Sequence, residues 1–220
     1  TFGQIGDNTS VNKSSPVQIG TSSWIAINAS STSQSNFVGA IRSDGALFGW
    51  GSNNLGQVGD GTTVDKSSPV QIGTSSWSAL AAGIDSMRAI KSDNTLWAWG
   101  YNGVGQLGDG TTVNKSSPVQ IGTSSWTAVS AGASNTTAIR SDGVLFAWGS
   151  NGSGQFGTLD TTNRSSPVQI GGALWSKLIA GGSHTVGIRA DGTLWTWGNN
   201  LYGQLGDRTL VAKSSPIQVT

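Results

Sequence analysis

Few residues in this chain could carry out chemistry. It contains one histidine, His184, and no cysteine. A nucleophilic triad would need that histidine beside both a serine and an aspartate, and transition-metal sites usually combine several His or Cys ligands. We therefore predict no catalytic residue, no metal site and no cofactor, and we interpret the His184 position as structural.

The acidic residues suggest turns rather than a metal site. An aspartate follows the motif G-Q-x-G at Asp7, Asp60, Asp109 and Asp207, whereas Thr158 occupies the fourth such position. Calcium loops collect several oxygen ligands within a short stretch, and these segments offer only one or two carboxylates each. The pattern therefore indicates side chains that cap turns of the backbone.

Basic residues recur at two fixed places in the sequence. One set precedes S-S-P, and the other lies two residues before a hairpin aspartate: Lys13, Lys66, Lys115, Arg164 and Lys213, then Arg42, Lys91, Arg140 and Arg189. The net charge is only +1, and no apolar run approaches the roughly 20 residues that span a bilayer. We expect a solvated structural role for these cations, no nucleic-acid partner and no membrane insertion.

The spacing of these residues follows an internal repeat. The glutamine of G-Q-x-G recurs with intervals of 53, 49, 49 and 49 residues, and all five prolines of S-S-P share those intervals. The positions are Gln4, Gln57, Gln106, Gln155 and Gln204 with Pro16, Pro69, Pro118, Pro167 and Pro216. The four extra residues of the first interval are assigned to the stretch ASSTSQSNF, within Ser30 to Ser35. Such a period is typical of solenoids and propellers.

Each unit contains four strand-like pieces, in the third copy SPVQIG, SWTAVSAG, TTAIRSDG and VLFAWG. Asp142-Gly143 is expected to supply the positive-φ residues of a tight hairpin turn. Four short strands in a unit of this length indicate an all-β fold, a β-propeller of four-stranded blades. The aromatic pairs are interpreted as filling between blades: Phe48/Trp50, Trp97/Trp99, Phe146/Trp148 and Trp195/Trp197.

The motif W-G-x-N-x-x-G-Q-L-G-x-G, with its later proline and A-G hairpin, resembles the regulator of chromosome condensation repeat, and specifically bacterial and phage members. The resemblance covers essentially the whole chain and implies seven-bladed propellers, which would need about 7 × 49 = 343 residues. About four and a half repeats are present, as one repeat domain with units at 1–50, 51–99, 100–148, 149–197 and 198–220. We expect part of a larger ring, completed by the remainder of a longer chain or by self-association.

Positions that vary between otherwise constant repeats are the candidates for contact with a partner: Phe37, Leu55, Met87, Arg88, Tyr101, His184, Leu201 and Tyr202. The leading hypothesis is a non-enzymatic binding or scaffolding module for a protein or a surface glycan. Low charge, Ser/Thr/Asn-rich loops and absent cysteine favour an extracellular, cell-surface or virion location. The alternative, implied by the family resemblance, is guanine-nucleotide exchange or chromatin-associated regulation.

Overall fold

The computed structural model describes residues 2–30 and 36–219, and most of the insertion predicted within Ser30 to Ser35 lies outside them. The described residues form fourteen strands and no helix, so no helix in this part of the chain could cross a membrane. The strands are β1 Trp24–Ala29, β2 Phe37–Arg42, β3 Ala46–Gly51, β4 Lys66–Ala82, β5 Ser86–Lys91, β6 Leu96–Gly100, β7 Lys115–Gln120, β8 Trp126–Ala131, β9 Asn135–Arg140, β10 Val144–Gly149, β11 Arg164–Ala180, β12 His184–Arg189, β13 Leu194–Gly198 and β14 Lys213–Gln218.

Strands that are neighbours in the sequence pair antiparallel, except β7 and β8, and form four blades. The first blade contains β1, β2, β3 and the first part of β4, where Phe48 is opposite Gln71. The second part of β4 begins the next blade, with Trp77 opposite Lys91. Strand β11 joins the third and fourth blades in the same way, so the order is β1 to β7 in one hydrogen-bonded sheet and β14 to β8 in the other. The predicted all-β propeller architecture is confirmed, and each S-S-P strand closes the blade that precedes it.

The hairpins between the second and third strands differ in one detail from the prediction. Gly143 has a φ of 85°, but Asp142 is absent from the positive-φ residues. The aspartate instead accepts a hydrogen bond from the backbone N–H of Val144 at 3.2 Å. Asn94 replaces the glycine in the second blade with a φ of 67°, because asparagine tolerates this region better than other side chains do. Only the last turn residue therefore needs the left-handed conformation.

Three apolar clusters fill the three contacts between blades. In the first cluster, Leu47 of the first blade packs with Met87 and Trp99 of the second. The corresponding tryptophan is buried in every blade: Trp50, Trp99, Trp148 and Trp197. The first aromatic of each pair is only half-buried, as with Trp97, whose ring lies 3.7 Å from the Nζ of Lys91. The interpretation as filling between blades is confirmed for Trp99, Trp148 and Trp197, which belong to the three clusters, and Trp97, Phe146 and Trp195 pack against the same clusters.

The two outer blades expose faces that the inner blades bury. Leu96 is 0% exposed between blades, whereas its counterpart Leu194 in the last blade is 40% exposed. At the other end Trp24 is half-buried whereas its counterparts Trp77 and Trp126 are buried, and it lines an open depression together with the exposed Ile25 and Ile27. The described arc therefore ends on two apolar faces.

Candidate partner-binding loops

The connection from the third to the fourth strand of each blade is built around a buried asparagine. In the second blade the amide nitrogen of Asn102 donates to Asp109 Oδ1 at 3.0 Å and to the carbonyl of Thr111 at 3.0 Å. Its amide oxygen accepts from the N–H of Leu107 at 2.9 Å. Asn53, Asn151 and Asn200 are also fully buried and bond within their own loops. One amide thus fixes each loop, a role that sequence reasoning missed, although the 49-residue recurrence could have revealed it.

The recurring aspartates cap these loops and also bind the recurring lysines. Asp60 Oδ1 accepts from the N–H and the hydroxyl of Thr62, and Asp60 Oδ2 lies 2.8 Å from the Nζ of Lys66. Burial acts to raise the pKa of Asp60, but the bonds from Lys66 and Thr62 outweigh it and hold the pKa below its usual value. The turn-capping prediction is confirmed. Each basic residue that precedes an S-S-P motif forms an ion pair with an aspartate, so the loops carry little net charge.

A tryptophan of the following blade holds the loops of the first and third blades in place. Trp99 Nε1 donates to the carbonyl of Gln57 at 3.1 Å, across the boundary between blades. The glycine two residues later, Gly59, has a φ of 90°, and a side chain there would collide with the Trp99 ring. This position therefore requires glycine for both backbone conformation and space. The loop and the next blade form one rigid unit.

These rigid loops expose an apolar side chain at an equivalent place. Four of the five copies have a valine two residues before the recurring lysine, and each is 62–65% exposed: Val11, Val64, Val113 and Val211. Thr162 takes this place in the fourth copy, where Leu159 is 79% exposed nearby. Equivalent loops of stacked repeats emerge on the same side of the array. The sequence reasoning did not single out these valines, because their exposure became evident only once the loops were placed.

The structure separates the predicted contact residues into three groups. Phe37, Met87 and Arg88 are 0–2% exposed and lie between blades, so they are removed from the candidate contact surface. They vary because each inter-blade contact is repacked locally. Leu201 and Tyr202 are 67% and 91% exposed at the free end of the last loop.

The remaining three predicted contact residues, Leu55, Tyr101 and His184, are half-buried. The ring of His184 packs against Gly181, and burial lowers its pKa. In residues 2–30 and 36–219, no group of three or more His, Cys, Asp or Glu side chains could hold a metal ion.

Comparison with known families identifies the class of protein to which the fold and loops correspond. The chain matches the Regulator of chromosome condensation (RCC1) repeat at residues 44–86, 93–139, 142–188 and 191–220. A second model of the same description matches residues 126–155 and 177–204. The chain belongs to the RCC1 repeat family, whose proteins are generally binding or exchange-factor proteins.

Two solved structures share the fold at low sequence identity, and one curated protein matches a short stretch of the sequence. Human WBSCR16 superposes with a TM-score of 0.87 and 20% identity, over 100% of this chain and 60% of that one. Yeast RCC1 (Prp20), in a crystal structure bound to Kap60, gives a TM-score of 0.79 at 16% identity over 93% of this chain and 50% of that one. The Ultraviolet-B receptor UVR8 of Arabidopsis thaliana is 58% identical over 33 residues, which is 15% of this chain and 8% of the receptor. The chain therefore spans only part of the length of these relatives.

Proposed function

We propose that this protein is a non-enzymatic scaffold whose strand-connecting loops bind a partner protein. One observation carries the proposal. A rigid loop of each blade exposes an apolar side chain, most often the valine described above, beside an ion pair that neutralises the local charge. Contiguous exposed apolar side chains mark contact surfaces, and we propose that the recurring valines of neighbouring loops form such a surface. Leu201 and Tyr202 extend this surface at the end of the last loop, and aromatic side chains are enriched at energetically important contacts.

The charge distribution favours a protein partner of mixed surface over a polyanion. Lys66 and Lys115 lie within 3.3 Å of aspartate oxygens, so their positive charge is compensated at the surface where the valines are exposed. A surface glycan is the second partner class, since the loops are rich in Ser, Thr and Asn.

We also propose an extracellular, cell-surface or virion location and a bacterial or phage origin, on the basis of the composition and the motif pattern.

The experiment compares the unaltered chain with a variant in which Val11, Val64, Val113 and Val211 are changed to serine. Each protein is applied to a glycan array. Each is also used as bait in proximity crosslinking with the proteins of the source cell. A control variant changes Ile25 and Ile27, exposed on the open blade face, to serine. Loss of a partner with the valine variant alone supports the proposal. Equal retention by both variants, or no partner for any protein, contradicts it.

A second candidate is guanine-nucleotide exchange or chromatin-associated regulation. The observation that favours it is the similarity to Prp20p of Saccharomyces cerevisiae, whose crystal structure is described together with binding properties to Gsp1p and histones. This chain matches it with a TM-score of 0.76 at 19% identity, over 92% of this chain and 52% of that one. A nucleotide-release assay with a small GTPase, measured with and without the chain, tests the candidate directly. Unchanged release rates contradict it.

The exposed end faces suggest one further kind of contact. We propose that additional blades, from a longer polypeptide or a second copy, cover Leu194 at one end and Trp24 at the other, since inner blades bury both equivalent positions. Sedimentation of the 220-residue chain over a range of concentrations distinguishes self-association from closure by other residues.

A further inference from the structure

One arginine beside a hairpin lacks the aspartate partner that its counterparts have. In the first and third blades, Arg42 and Arg140 each place Nη2 2.7 Å from an oxygen of the hairpin aspartate. Arg189 takes the same place in the fourth blade, yet its side chain forms no ion pair with any described residue. Its Nε is buried without an acceptor, whereas Nη1 and Nη2 are neither buried nor hydrogen-bonded within the described chain. Arg189 therefore presents accessible N–H donors that no protein group uses.

The sequence of the fourth hairpin explains why Arg189 is unpaired. Asp191 Oδ1 accepts from the hydroxyl of Thr193 at 2.6 Å and from its backbone N–H at 2.9 Å. The same hydroxyl accepts from the indole N–H of Trp195 at 2.7 Å. These bonds engage the aspartate within its own turn, and the arginine remains apart from it.

The other blades support this explanation. In the second blade, Thr95 likewise donates to the hairpin aspartate at 2.6 Å, and Lys91 forms no ion pair with any described residue. The third blade has Val144 where the others have threonine, and there Arg140 pairs with the hairpin aspartate. A threonine at this position thus accompanies an unpaired cation, and its absence accompanies a paired one.

Two tryptophans hold the Arg189 guanidinium in place. Its Cζ lies 3.5 Å from the ring centroid of Trp195 and 5.3 Å from that of Trp175. A guanidinium that stacks on an aromatic ring can still donate hydrogen bonds from its edge. Because the rings already orient this group, a ligand would have to immobilise little additional side chain.

Arg189 lines a depression of about 180 Å³ between the third and fourth blades. Apolar side chains form part of the wall, namely Ile170, Ala173 and Pro216, and glycines form most of the rest. Among the described residues that line the depression, Arg189 is the one that carries a charge. The volume corresponds to about six water molecules and therefore admits a small ligand.

We propose that this depression binds a carboxylate on a short aliphatic chain, with Arg189 as the residue that binds the carboxylate group. The planar guanidinium offers parallel N–H donors that match the two oxygens of a carboxylate. Ile170, Ala173 and Pro216 would contact the aliphatic part, which inorganic phosphate lacks. Butyrate, with roughly as many non-hydrogen atoms as the depression has water volumes, is a suitable probe. This inference does not depend on the scaffold function proposed above.

The test titrates the full chain with butyrate at constant ionic strength while backbone amide and indole NMR signals are recorded. We expect saturable shifts at Gly171, Gly172 and the Trp175 indole, at concentrations roughly tenfold below those that the neutral butyramide requires. A tighter response to inorganic phosphate than to butyrate would overturn the choice of an aliphatic carboxylate. If butyrate caused no saturable shift at these positions, the site itself would be refuted.

A free acid and the C-terminal residue of a protein both supply this chemistry. Acetyl-valine serves as the probe for a chain terminus and is titrated in the same way. Tighter binding of butyrate supports a free acid, and tighter binding of acetyl-valine supports a chain terminus. Failure of both probes to bind more tightly than butyramide contradicts the proposal.

Variants then assign the carboxylate contact to the unpaired arginine. Arg189→Gln should weaken butyrate binding roughly tenfold, and Arg189→Lys, which retains the charge without the planar fork, should have a smaller effect. A sharper variant combines Thr193→Val with Trp195→Phe and gives the fourth hairpin the residues of the third. Asp191 should then pair with Arg189, so butyrate binding should fall although the arginine is retained.

The matched control is Arg140→Gln, which removes an arginine that already pairs with Asp142 and should leave butyrate binding unchanged. Unchanged binding in Arg189→Gln, equal loss in Arg140→Gln, or full binding by the Thr193→Val/Trp195→Phe variant each contradicts the proposal. The amide spectrum of every variant reports whether it is folded. If Arg189→Gln does not fold, the Thr193→Val/Trp195→Phe titration decides, because that variant keeps the arginine.

Discussion

The clearest test of the blade arrangement compares one leucine at two equivalent positions. Leu96 begins the third strand of the second blade and is 0% exposed, whereas Leu194 begins the same strand of the last blade and is 40% exposed. Their chemistry and local backbone are alike, so truncating each to alanine isolates the contribution of the neighbouring blade.

The expected difference follows from the two exposures. Replacing a fully buried leucine with alanine costs about 3 kcal/mol of unfolding free energy, since it removes apolar contact and leaves a cavity. At Leu194 about 60% of the transfer contribution applies and no closed cavity forms, because 40% of the residue already contacts solvent. With about 0.8 kcal/mol per methylene, Leu194→Ala should cost about 1 to 1.5 kcal/mol. The two variants should therefore differ by about 1.5 to 2 kcal/mol.

Urea unfolding of both variants, monitored by tryptophan fluorescence, measures this difference. The slope with denaturant must match between variants, because a repeat array can lose blades separately. A cost at Leu194 equal to that at Leu96 would refute an open end face. If the destabilisation by Leu194→Ala increased with protein concentration, a second copy of the chain would cover Leu194.

Three other predictions concern the loops and turns. Asn102→Ala should lower unfolding free energy by about 3 kcal/mol, because it leaves several buried loop groups unpaired; calorimetry measures it. Gly108→Ala should be more destabilising than Gly110→Ala in urea: both have positive φ, but only at Gly108 would a methyl lie 2.5 Å from an indole nitrogen. Hydrogen bonds from Arg42 and a backbone N–H lower the pKa of Asp44 to about 2 in the folded chain. The ionised Asp44 therefore stabilises the fold fully above about pH 4, and this contribution to the unfolding free energy is lost as the pH falls toward 2. Asp44→Asn should flatten the acid limb of a stability–pH profile, and an unchanged profile would contradict this assignment.

The repeat made much of the fold predictable from sequence. Positions that recur every 49 residues face the same packing problem in each blade, so the spacing of Trp99 and Trp148 was enough to assign both to inter-blade contacts. The aspartate caps were predictable for the same reason, since Asp60 and Asp109 have the same local partners.

The contact surface was less predictable, because variation between repeats has two sources. Met87 and Arg88 vary inside the protein, where each pair of blades adjusts its own packing, and the sequence alone did not distinguish them from variable surface residues such as Tyr202. The exposed Val64 and Val113 were overlooked for the opposite reason, since they recur as regularly as core residues. Exposure depends on the path of a long connection between strands, which local propensity does not determine.

The hydrogen bond from the Trp99 indole to the Gln57 carbonyl links two different repeats. Trp99 belongs to the second blade, yet the segment that it immobilises, around Gln57, emerges from the first. A substitution at such a tryptophan should therefore loosen the loop of the preceding repeat. Its effect on partner binding is expected at that loop and not at the loop of its own blade. Deleting a repeat would likewise place the loop before the deletion against the tryptophan of a different blade.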